Sequence, residues 1–431
     1  MEKVLIETHG CTLNKADSEI IESILREQGF SAEKGQATIQ NIINYDYIII
    51  NTCTVKKPTE QKMLDRLSRF SRSGKKIIVT GCLATASPEK VKKAVPDAAI
   101  VSTSRITEIG SVLSDAGKAG EADRLGYARK DKMAYYSANN AVIARIPISE
   151  GCLSNCSFCE TKFARGPLNS FSEELILRAI SDSVKRGSKE IELASQDTGA
   201  YGFDKKTNIA ELLQRASEID GEFSIRVGML NPEHLHKYFD ELIAAYRMGK
   251  AFKFIHLPVQ SASNKILRSM KRNYTIEDFN SYVSELRKKV PGISLETDVI
   301  VGYPLETEDD FEETARFAEE QRPNVTNISK FSVRPHAAAS RMRQLHNGVV
   351  KERSVKMSRL VRRIQAEDLS KFIGRRKRVL ITEKNAKSLS GRDEFYTQVA
   401  VLQGEREVPI GSYVEAEVVG NSYACLISKP I

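Results

Sequence analysis

The chain has 431 residues, too many for one ordinary hydrophobic core, which indicates two or three domains. Its 65 Lys and Arg against 56 Asp and Glu give a net charge of +9, which is compatible with a polyanionic partner. Seven cysteines are too few and too unevenly spaced for a secreted disulfide scaffold, and no window approaches the roughly 18 apolar residues that span a bilayer. The N-terminal run resembles no leader peptide. We therefore expect a cytoplasmic protein with no membrane partner.

Residues 1 to about 135 alternate short apolar runs with amphipathic segments, which is typical of an open parallel sheet covered by helices. The pattern predicts strands over 4–6, 47–50 and 76–79, and helices over 16–28, 59–70 and 88–93. A cysteine follows each predicted strand: Cys11, Cys53 and Cys82. Because the carboxyl ends of parallel strands meet at one edge, these cysteines should converge there. One buried cysteine would be unremarkable, but three in equivalent places predict an iron–sulfur site.

A loop with three closely spaced cysteines follows the next predicted strand, 141–148: Cys152, Cys156 and Cys159. Three thiolates leave a four-iron cluster one ligand short, so a small molecule can chelate the open iron. A structural zinc site is the alternative, but zinc normally takes four protein ligands, and neither a fourth cysteine nor a nearby histidine follows. Phe158, just before the third cysteine, completes a signature that resembles the radical S-adenosylmethionine (SAM) enzymes.

Strand and helix patterns alternate again after the cysteine loop. The strands are predicted over 190–194, 223–227, 252–257, 293–301 and 325–333. The helices between them are predicted over 172–186, 208–219, 232–248, 275–289 and 307–320. With 141–148 these make six strands, two short of a full eight-fold barrel. We therefore predict a partial barrel whose lateral opening admits a large substrate to the carboxyl face.

The excess positive charge is concentrated near the C-terminus. The tract 351–378 holds eleven basic and three acidic residues, and much of it is a predicted amphipathic helix with Met357, Leu360, Val361 and Ile364 on one face. Beyond it, short β-like runs with turn signals at intervals of about ten residues predict a small antiparallel β-barrel. Modules of this kind often bind RNA.

Taken together, these features resemble the methylthiotransferase family of radical SAM enzymes over nearly the whole chain, and the last module is similar to the TRAM domain of that family. The stretches that fit best are 10–19, 51–55, 257–261 and 297–304. Residues 58–60 and 161–166 are most similar to the archaeal and eukaryotic branch, which adds a methylthio group at C2 of N6-threonylcarbamoyladenosine (t6A) at position 37 of tRNA. One segment departs from the family: after Arg334-Pro335 the chain continues His336-Ala337-Ala338 where Gly-Thr-Pro is common, so that loop is expected to differ in shape.

We therefore predict an α/β fold of three folded parts and two connectors. The parts, in order, are an N-terminal open parallel α/β domain (1–123), a polar linker (124–140), a central partial (β/α)6 radical SAM barrel (141–346), a basic connecting helix (347–372) and a small antiparallel TRAM-like barrel (373–431).

The resemblance also implies the cofactors. It implies two [4Fe-4S] clusters, one on Cys152, Cys156 and Cys159 and one on Cys11, Cys53 and Cys82, with two SAM molecules used per turnover: one methylates a sulfur atom and one supplies a carbon radical. The expected SAM contacts are Phe158, Ser195, Gln196, Gln260, Ser261, Thr297 and Asp298. For the polar residues among them, an ordinary hydrogen bond at a strand end is the alternative.

The partners implied are the tRNA anticodon stem-loop, a low-potential electron donor and a sulfur donor. The expected phosphate contacts are Arg362, Arg363, Arg375, Arg376, Lys377 and Arg378, with a solvated basic face as the alternative. Three other functions stay open at this point: methylthiolation of isopentenyl-adenosine in tRNA, methylthiolation of a ribosomal-protein aspartate, and a non-catalytic iron–sulfur RNA-binding protein.

Overall fold

The computed structural model describes residues 1–38, 40–54, 57–115, 122–386, 388–402 and 407–431, with the side chains of 57–59 left out. Val55, and the side chains of Pro58 and Thr59, which belong to two of the family-like stretches, therefore lie outside the described parts. Within the described residues, no helix is both long and apolar enough to cross a membrane.

The N-terminal part is a five-stranded parallel sheet with strand order β2-β1-β3-β4-β5. Its strands are β1 (Lys3–Thr8), β2 (Ser31–Lys34), β3 (Tyr47–Thr52), β4 (Lys76–Gly81) and β5 (Ala99–Val101). Its helices are α1 (Thr12–Glu27), α2 (Lys57–Phe70), α3 (Cys82–Ala86), α4 (Pro88–Ala94) and α5 (Ile109–Asp115). The three predicted strands are confirmed because they are continuous apolar runs with helices on both faces. The short strands β2 and β5 at the edges were not predicted.

Six parallel strands form the central part, as predicted, in two three-stranded sheets ordered β10-β9-β6 and β11-β12-β13. A parallel bridge joins Ile225 of the first sheet to Ala251, three residues before the first strand of the second sheet. The strands are β6 (Ile143–Pro147), β9 (Glu190–Ala194), β10 (Ser224–Val227), β11 (Phe254–His256), β12 (Ser294–Val301) and β13 (Val325–Lys330), with a short hairpin of β7 (Ser149–Glu150) and β8 (Asn169–Ser170). No ladder joins β6 to β13 among the described residues, so the barrel is partial.

Helices alternate with these strands. They are α6 (Thr161–Arg165), α7 (Glu173–Lys185), α8 (Ile209–Ser217), α9 (Pro232–Leu235), α10 (Phe239–Arg247), α11 (Asn264–Ser269), α12 (Ile276–Lys289) and α13 (Glu308–Gln321). The single helix predicted over 232–248 is wrong, because the chain breaks between α9 and α10. The break carries Tyr238 into the core, where its hydroxyl donates a 2.8 Å hydrogen bond to the carbonyl of Gly199.

The C-terminal part begins with α14 (Asn347–Ser370), whose Met357, Val361 and Ile364 are buried as predicted. A closed barrel ordered β14-β15-β16-β18-β17 follows: β14 (Arg376–Lys384), β15 (Ser388–Arg392), β16 (Gln398–Leu402), β17 (Tyr413–Asn421) and β18 (Leu426–Pro430). The predicted all-antiparallel pairing is wrong for one pair, since β16 and β18 are parallel. A closed ring with an odd number of strands cannot alternate direction throughout.

Candidate active site between two cysteine sets

The three cysteines of the first set lie on the loop that runs from β7 to α6. Burial raises the pKa of Cys152 to about 12, and the negative charges of Asp197, Cys159 and Cys156 add to the rise. The backbone N–H of Cys159 donates a 3.1 Å hydrogen bond to the carbonyl of Cys156, which closes a tight turn. The loop therefore brings the three thiols together at the carboxyl end of the partial barrel.

Hydrogen-bond donors face the sulfur atoms of this loop. Nη1 of the buried Arg272 lies 3.5 Å from Sγ of Cys156, and the backbone nitrogen of Thr161 lies 3.3 Å from Sγ of Cys159. Arg272 is fixed in place by Nη2, which donates a 3.1 Å hydrogen bond to the carbonyl of Pro258. Burial raises the pKa of Cys156, and the Arg272 charge opposes that rise. Such donors stabilise thiolates, which suits an anionic metal cluster.

The second set meets at the carboxyl edge of the N-terminal sheet. Oδ1 of the buried Asn14 lies 3.7 Å from Sγ of Cys11 and 3.9 Å from Sγ of Cys82. Gly10, at φ +109°, passes so close to Cys53 that a Cβ would lie 3.1 Å from its sulfur. Burial raises the pKa of Cys82 to about 11, and the charges of Cys11 and Cys53 add to the rise. Cys53 and Cys82 are buried, whereas Cys11 is exposed.

Neither set fits a single ion. In the described parts of the chain, no group of three or more His, Cys, Asp or Glu side chains is close enough to hold one metal ion. Thiolates that each meet a different iron of a four-iron cube stand further apart than the ligands of one ion. Each set has three soft sulfur donors, and an arginine donates to one sulfur of each: Arg272 to Cys156 and Arg165 to Cys82. Three such ligands fit an iron–sulfur cluster better than tetrahedral zinc, which takes four.

Arg165 is the last residue of α6, the helix that follows the first cysteine set, and its side chain contacts the second set. Its Nε donates to Sγ of Cys82 at 3.4 Å and its Nη2 to Oδ1 of Asn14 at 2.7 Å. Its Nη1 lies 2.6 Å from Asp17 and 3.1 Å from Glu150. Burial by itself would lower the pKa of Arg165, but the negative charges of Asp17, Cys82 and Glu150 raise it well above its ordinary value. Arg165 thus ties the helix that follows the first cysteine set to one cysteine of the second set.

A second contact between the two parts runs through Glu60 on α2. Oε2 of Glu60 accepts hydrogen bonds from Thr54 Oγ1 at 3.3 Å and from Arg334 Nη1 at 2.7 Å. Thr54, next to Cys53, also donates to Glu160, next to Cys159. Sequence reasoning missed Glu60, Glu160 and Arg334 as a group because they come from three distant segments. The family-like segments 58–60 and Arg334-Pro335 contain two of them, but nothing in the sequence connects the two.

The linker is packed rather than extended. Lys132, within this predicted polar linker, is only 1% exposed and lies 3.2 Å from Asp17 and 2.8 Å from Glu150. The divergent loop after β13 also reaches the N-terminal part, since His336 Nε2 lies 3.0 Å from the carbonyl of Ala86 and its ring stacks on Phe163. Both segments therefore help to fix the junction.

The predicted SAM contacts are spread over several environments. Phe158 is half-buried and packs against the cluster of Ile266, Met270 and Tyr303. Gln196 Oε1 accepts a 2.8 Å hydrogen bond from the backbone of Gly151, while Ser195 Oγ lies 2.7 Å from Ser149 Oγ. These three residues lie around the cysteine loop.

The remaining predicted contacts do not share one cavity. Strand alternation places Thr297 on the same face of β12 as Leu295 and Val299, in the apolar core, and its Oγ1 donates to the carbonyl of Leu257 at 2.7 Å. Asp298 is on the opposite face, 3.0 Å from His256. These two predicted SAM contacts therefore lie on opposite faces of β12.

Gln260 and Ser261 also differ from each other. Ser261 is buried, and its Oγ accepts from the backbone N–H of Ser263 at 3.2 Å and lies 3.3 Å from Thr314 Oγ1. These are hydrogen bonds within the fold. Gln260 has φ +65°, a left-handed conformation that is uncommon outside glycine and is found preferentially at functional sites.

The predicted RNA contacts divide into exposed and paired side chains. Arg375 and Arg376 are exposed at the start of β14, and the Arg362 guanidinium stacks 4.7 Å from the ring centre of Tyr423. Arg363 is paired with Glu319 at 3.0 Å and Arg378 with Glu222 at 2.7 Å.

Lys377 does not fit the prediction. Its Nζ lies 2.8 Å from the buried Asp393 and packs over the ring of Phe372, so its charge is already neutralised. Alternation along β14 turns it toward the protein while the flanking arginines face outward. A groove of about 790 Å³ between the two barrels is lined by Arg375, Arg376 and Arg378, and the ion pair of Lys377 and Asp393 forms part of its wall.

Two family models match the chain. Residues 3–103 match the Uncharacterized protein family UPF0004, and residues 146–318 match the Radical SAM superfamily. A probable threonylcarbamoyladenosine tRNA methylthiotransferase of Archaeoglobus fulgidus is 38% identical over 99% of this chain and 98% of its own length. The chain belongs to the threonylcarbamoyladenosine tRNA methylthiotransferase family. The family resemblance predicted from the motifs is confirmed.

Other members of the threonylcarbamoyladenosine tRNA methylthiotransferase family are similar along the whole chain. The Pyrococcus horikoshii relative, also named probable, is 37% identical over 100% of both chains. The Homo sapiens threonylcarbamoyladenosine tRNA methylthiotransferase is 33% identical over 100% of this chain and 74% of its own length.

Solved structures of radical SAM enzymes share the fold of this family member. The radical SAM methyltransferase TsrM of Kitasatospora setae superposes with a TM-score of 0.60 at 13% identity, over 79% of this chain and 75% of TsrM. The cobalamin-dependent radical SAM enzyme OxsB superposes with a TM-score of 0.57 at 15% identity, over 84% of this chain and 56% of OxsB. At these identities the likeness concerns the fold alone.

Proposed function

We propose that this chain is a radical SAM tRNA methylthiotransferase that adds a methylthio group to C2 of t6A at position 37 of tRNA. The observation that carries the proposal is the bond from Arg165, on the helix after the Cys152 loop, to Cys82 in the other cysteine set. This bond supports an arrangement in which the two candidate cluster sites lie on either side of one buried junction. The names of the full-length relatives support t6A as the substrate.

The radical SAM fold implies SAM and a [4Fe-4S] cluster, and the donor set at Cys152, Cys156 and Cys159 suits them. We propose a second [4Fe-4S] cluster at Cys11, Cys53 and Cys82, and two SAM molecules per turnover: one would give the methyl group and the other the carbon radical. The C2–H bond of adenine is neither acidic nor polarised, so side-chain acids and bases cannot activate it. When bound, the first cluster with SAM supplies a carbon radical and the second cluster supplies the sulfur.

The residues of the chain have supporting roles in this scheme. Arg272 and the backbone N–H of Thr161 oppose the charge of the thiolates, and Gln196 holds the start of the loop. Arg165 and Glu60 keep the two cysteine sets in register across the junction. Because Cys11 is the exposed member of its set, the substrate base would approach from its side. Ser195, Gln260 and Asp298 remain candidate SAM contacts.

The partners follow from the chemistry. We propose that the exposed Arg375 and Arg376, with Arg362 and Arg378, contact phosphates of the anticodon stem-loop, and that the target base is unstacked to reach the cysteines. Each turnover consumes an electron and a sulfur atom, which the side chains of the enzyme cannot supply repeatedly. A low-potential electron donor and a sulfur donor are therefore needed. Six thiols that must stay reduced also favour a reducing compartment such as the cytoplasm.

The division of the chain remains part of the proposal. We assign sulfur supply to 1–123, radical generation to 141–346 and RNA binding to 373–431, with 124–140 and 347–372 as connectors. Lys132 within the first connector and Met357 within the second are both buried, so each connector is fixed to its neighbours.

Two matched triple variants test the proposal in anaerobically reconstituted protein: C11A/C53A/C82A and C152A/C156A/C159A. Each should hold half the iron of the intact chain. The first should still convert SAM to 5′-deoxyadenosine without methylthiolating tRNA, whereas the second should do neither. Parallel reactions on tRNA with t6A, tRNA with isopentenyl-adenosine and ribosomal protein should give product with t6A alone. Product from the first variant, or SAM cleavage by the second, would overturn the scheme.

A further inference from the structure

Arg165 is fully buried, and every nitrogen of its guanidinium has a partner across the junction. Nε donates to Cys82 Sγ, Nη1 to Asp17 and Glu150, and Nη2 to Asn14. Asn14 Oδ1 in turn lies 3.7 Å from Cys11 Sγ. Arg165, from the central part of the chain, therefore contacts Cys82 directly and is connected to Cys11 through Asn14.

Lys132 provides a natural comparison. Its Nζ binds the other oxygens of the same two carboxylates, at 3.2 Å from Asp17 Oδ1 and 2.8 Å from Glu150 Oε2. The two cations and two carboxylates form a closed buried ring in which the formal charges cancel. Either cation holds the two parts of the chain together, but of the two only Arg165 donates to Cys82. A need to neutralise Asp17 and Glu150 does not by itself explain that fourth bond.

The chemistry of the fourth bond is specific to arginine. A lysine ammonium placed between Asp17 and Glu150 would spend its donors on them, whereas the planar guanidinium has a separate Nε–H that points along a different direction. That N–H reaches a buried sulfur. Hydrogen bonds to cysteine sulfurs stabilise the more negative, reduced state of an iron–sulfur cluster and so raise its reduction potential.

We propose that Arg165 is a positioning residue for the N-terminal cluster, which orients the Cys82 thiolate and raises the reduction potential of that cluster from across the domain junction. This inference rests on the proposed function, because it requires that Cys82 is a cluster ligand. It adds that the N-terminal cluster site is complete only when the central part of the chain is docked on it. The segment that follows the radical SAM cysteines thus sets the properties of both sites.

The test uses the full chain with C152A/C156A/C159A, which leaves only the N-terminal cluster. In that background R165Q and K132Q each remove one cation from the same ring, so both should lower the unfolding temperature, R165Q by more because it also loses the bonds to Asn14 and Cys82. R165Q should lower the ratio of reduced to oxidised cluster at a fixed potential at least tenfold, which is a midpoint shift of about 59 mV for one electron. K132Q should shift it by less than half as much. Redox titration followed by electron paramagnetic resonance measures both.

A third variant, R165K, keeps the charge and guards against loss of folding in R165Q. Its ammonium should remain with Asp17 and Glu150, so the ring survives while the bond to sulfur is lost, and the midpoint should fall as in R165Q. A wild-type midpoint in R165K, or equal shifts in R165Q and K132Q, would overturn the inference. Absence of iron from the background variant itself would instead overturn the proposed second cluster.

Discussion

The side-chain oxygen of Gln196 accepts a 2.8 Å hydrogen bond from the backbone N–H of Gly151, the residue immediately before Cys152. Gly151 has φ +79°, and a Cβ there would lie 1.9 Å from the carbonyl oxygen of Pro167. Only glycine fits this entry point of the cysteine loop. Gln196, just beyond the end of β9, fixes the entry point from the neighbouring strand.

Gln196→Ala should therefore weaken the hold of the loop on its cluster. Loss of one hydrogen bond costs about 1 kcal/mol, or roughly fivefold in an equilibrium constant. In the C11A/C53A/C82A background we expect iron to be lost to a chelator several-fold faster, with a smaller change in the SAM affinity of the loaded protein. Gln214→Ala, on α8, is the control. Unchanged iron release with weaker SAM binding would instead support a direct contact of Gln196 with SAM.

The sequence predicted well what depends on local pattern. Apolar runs predicted β1, β3 and β4, and the shared edge of a parallel sheet predicted that Cys11, Cys53 and Cys82 end near one another. The alternation of strand and helix patterns predicted all six barrel strands. It did not predict β2 and β15, which have few apolar residues, or β5, which is apolar but only three residues long.

The contacts between the N-terminal and central parts could not be predicted from the local sequence pattern. Arg165 and Cys82 are separated by 83 residues, and their bond depends on how two folded parts dock. Lys132 was predicted only as part of a polar linker, because nothing in its neighbours shows that two carboxylates from other segments enclose it. Thr297 and Asp298 are adjacent in sequence, but strand alternation places them on opposite faces. Lys377 was predicted to contact RNA together with its arginine neighbours, but strand alternation turns it to the opposite face of β14.

The basic groove makes a prediction that separates Arg376 from Lys377. Arg376 is exposed, so Arg376→Ala should weaken tRNA binding and reduce the slope of log affinity against log salt by about 0.9 for each phosphate that the protein no longer neutralises. Lys377 is paired with Asp393 over Phe372, so Lys377→Met should lower stability and leave the slope unchanged. Binding assays over a series of salt concentrations measure this. A larger change of slope for Lys377→Met than for Arg376→Ala would show that Lys377 binds the RNA.

The pair Arg334–Glu60 should contribute to docking of the N-terminal part. Arg334→Met removes a buried partner at 2.7 Å and leaves Glu60 with Thr54 and the partly exposed Lys90, so we expect a loss of about 2–3 kcal/mol of stability. Unfolding of Arg334→Met, Glu60→Gln and the double variant gives the coupling, which should exceed about 0.5 kcal/mol. Arg343→Met, at an exposed position on the same segment, is the control. Additive losses would mean that the two side chains act independently.

Asp310 should make the stability of the barrel depend on pH. It caps α13 through Thr307, and its carboxylate also accepts hydrogen bonds from Ser263 at 2.7 Å and Lys265 at 2.6 Å. Burial alone would raise its pKa, but these bonds, led by the one from Lys265, lower it well below the ordinary value of 3.8. Since the folded pKa is the lower one, the stabilisation is fully present above the ordinary pKa and is lost as the pH falls toward the folded value.

Asp310→Asn should therefore cost about 2 kcal/mol at neutral pH and progressively less below about pH 4, as measured by denaturant unfolding of cluster-free protein. Asp309→Asn, exposed on the same turn, should cost little at any pH. A penalty for Asp310→Asn that stays constant down to low pH would mean that the charge of Asp310 does not stabilise the fold.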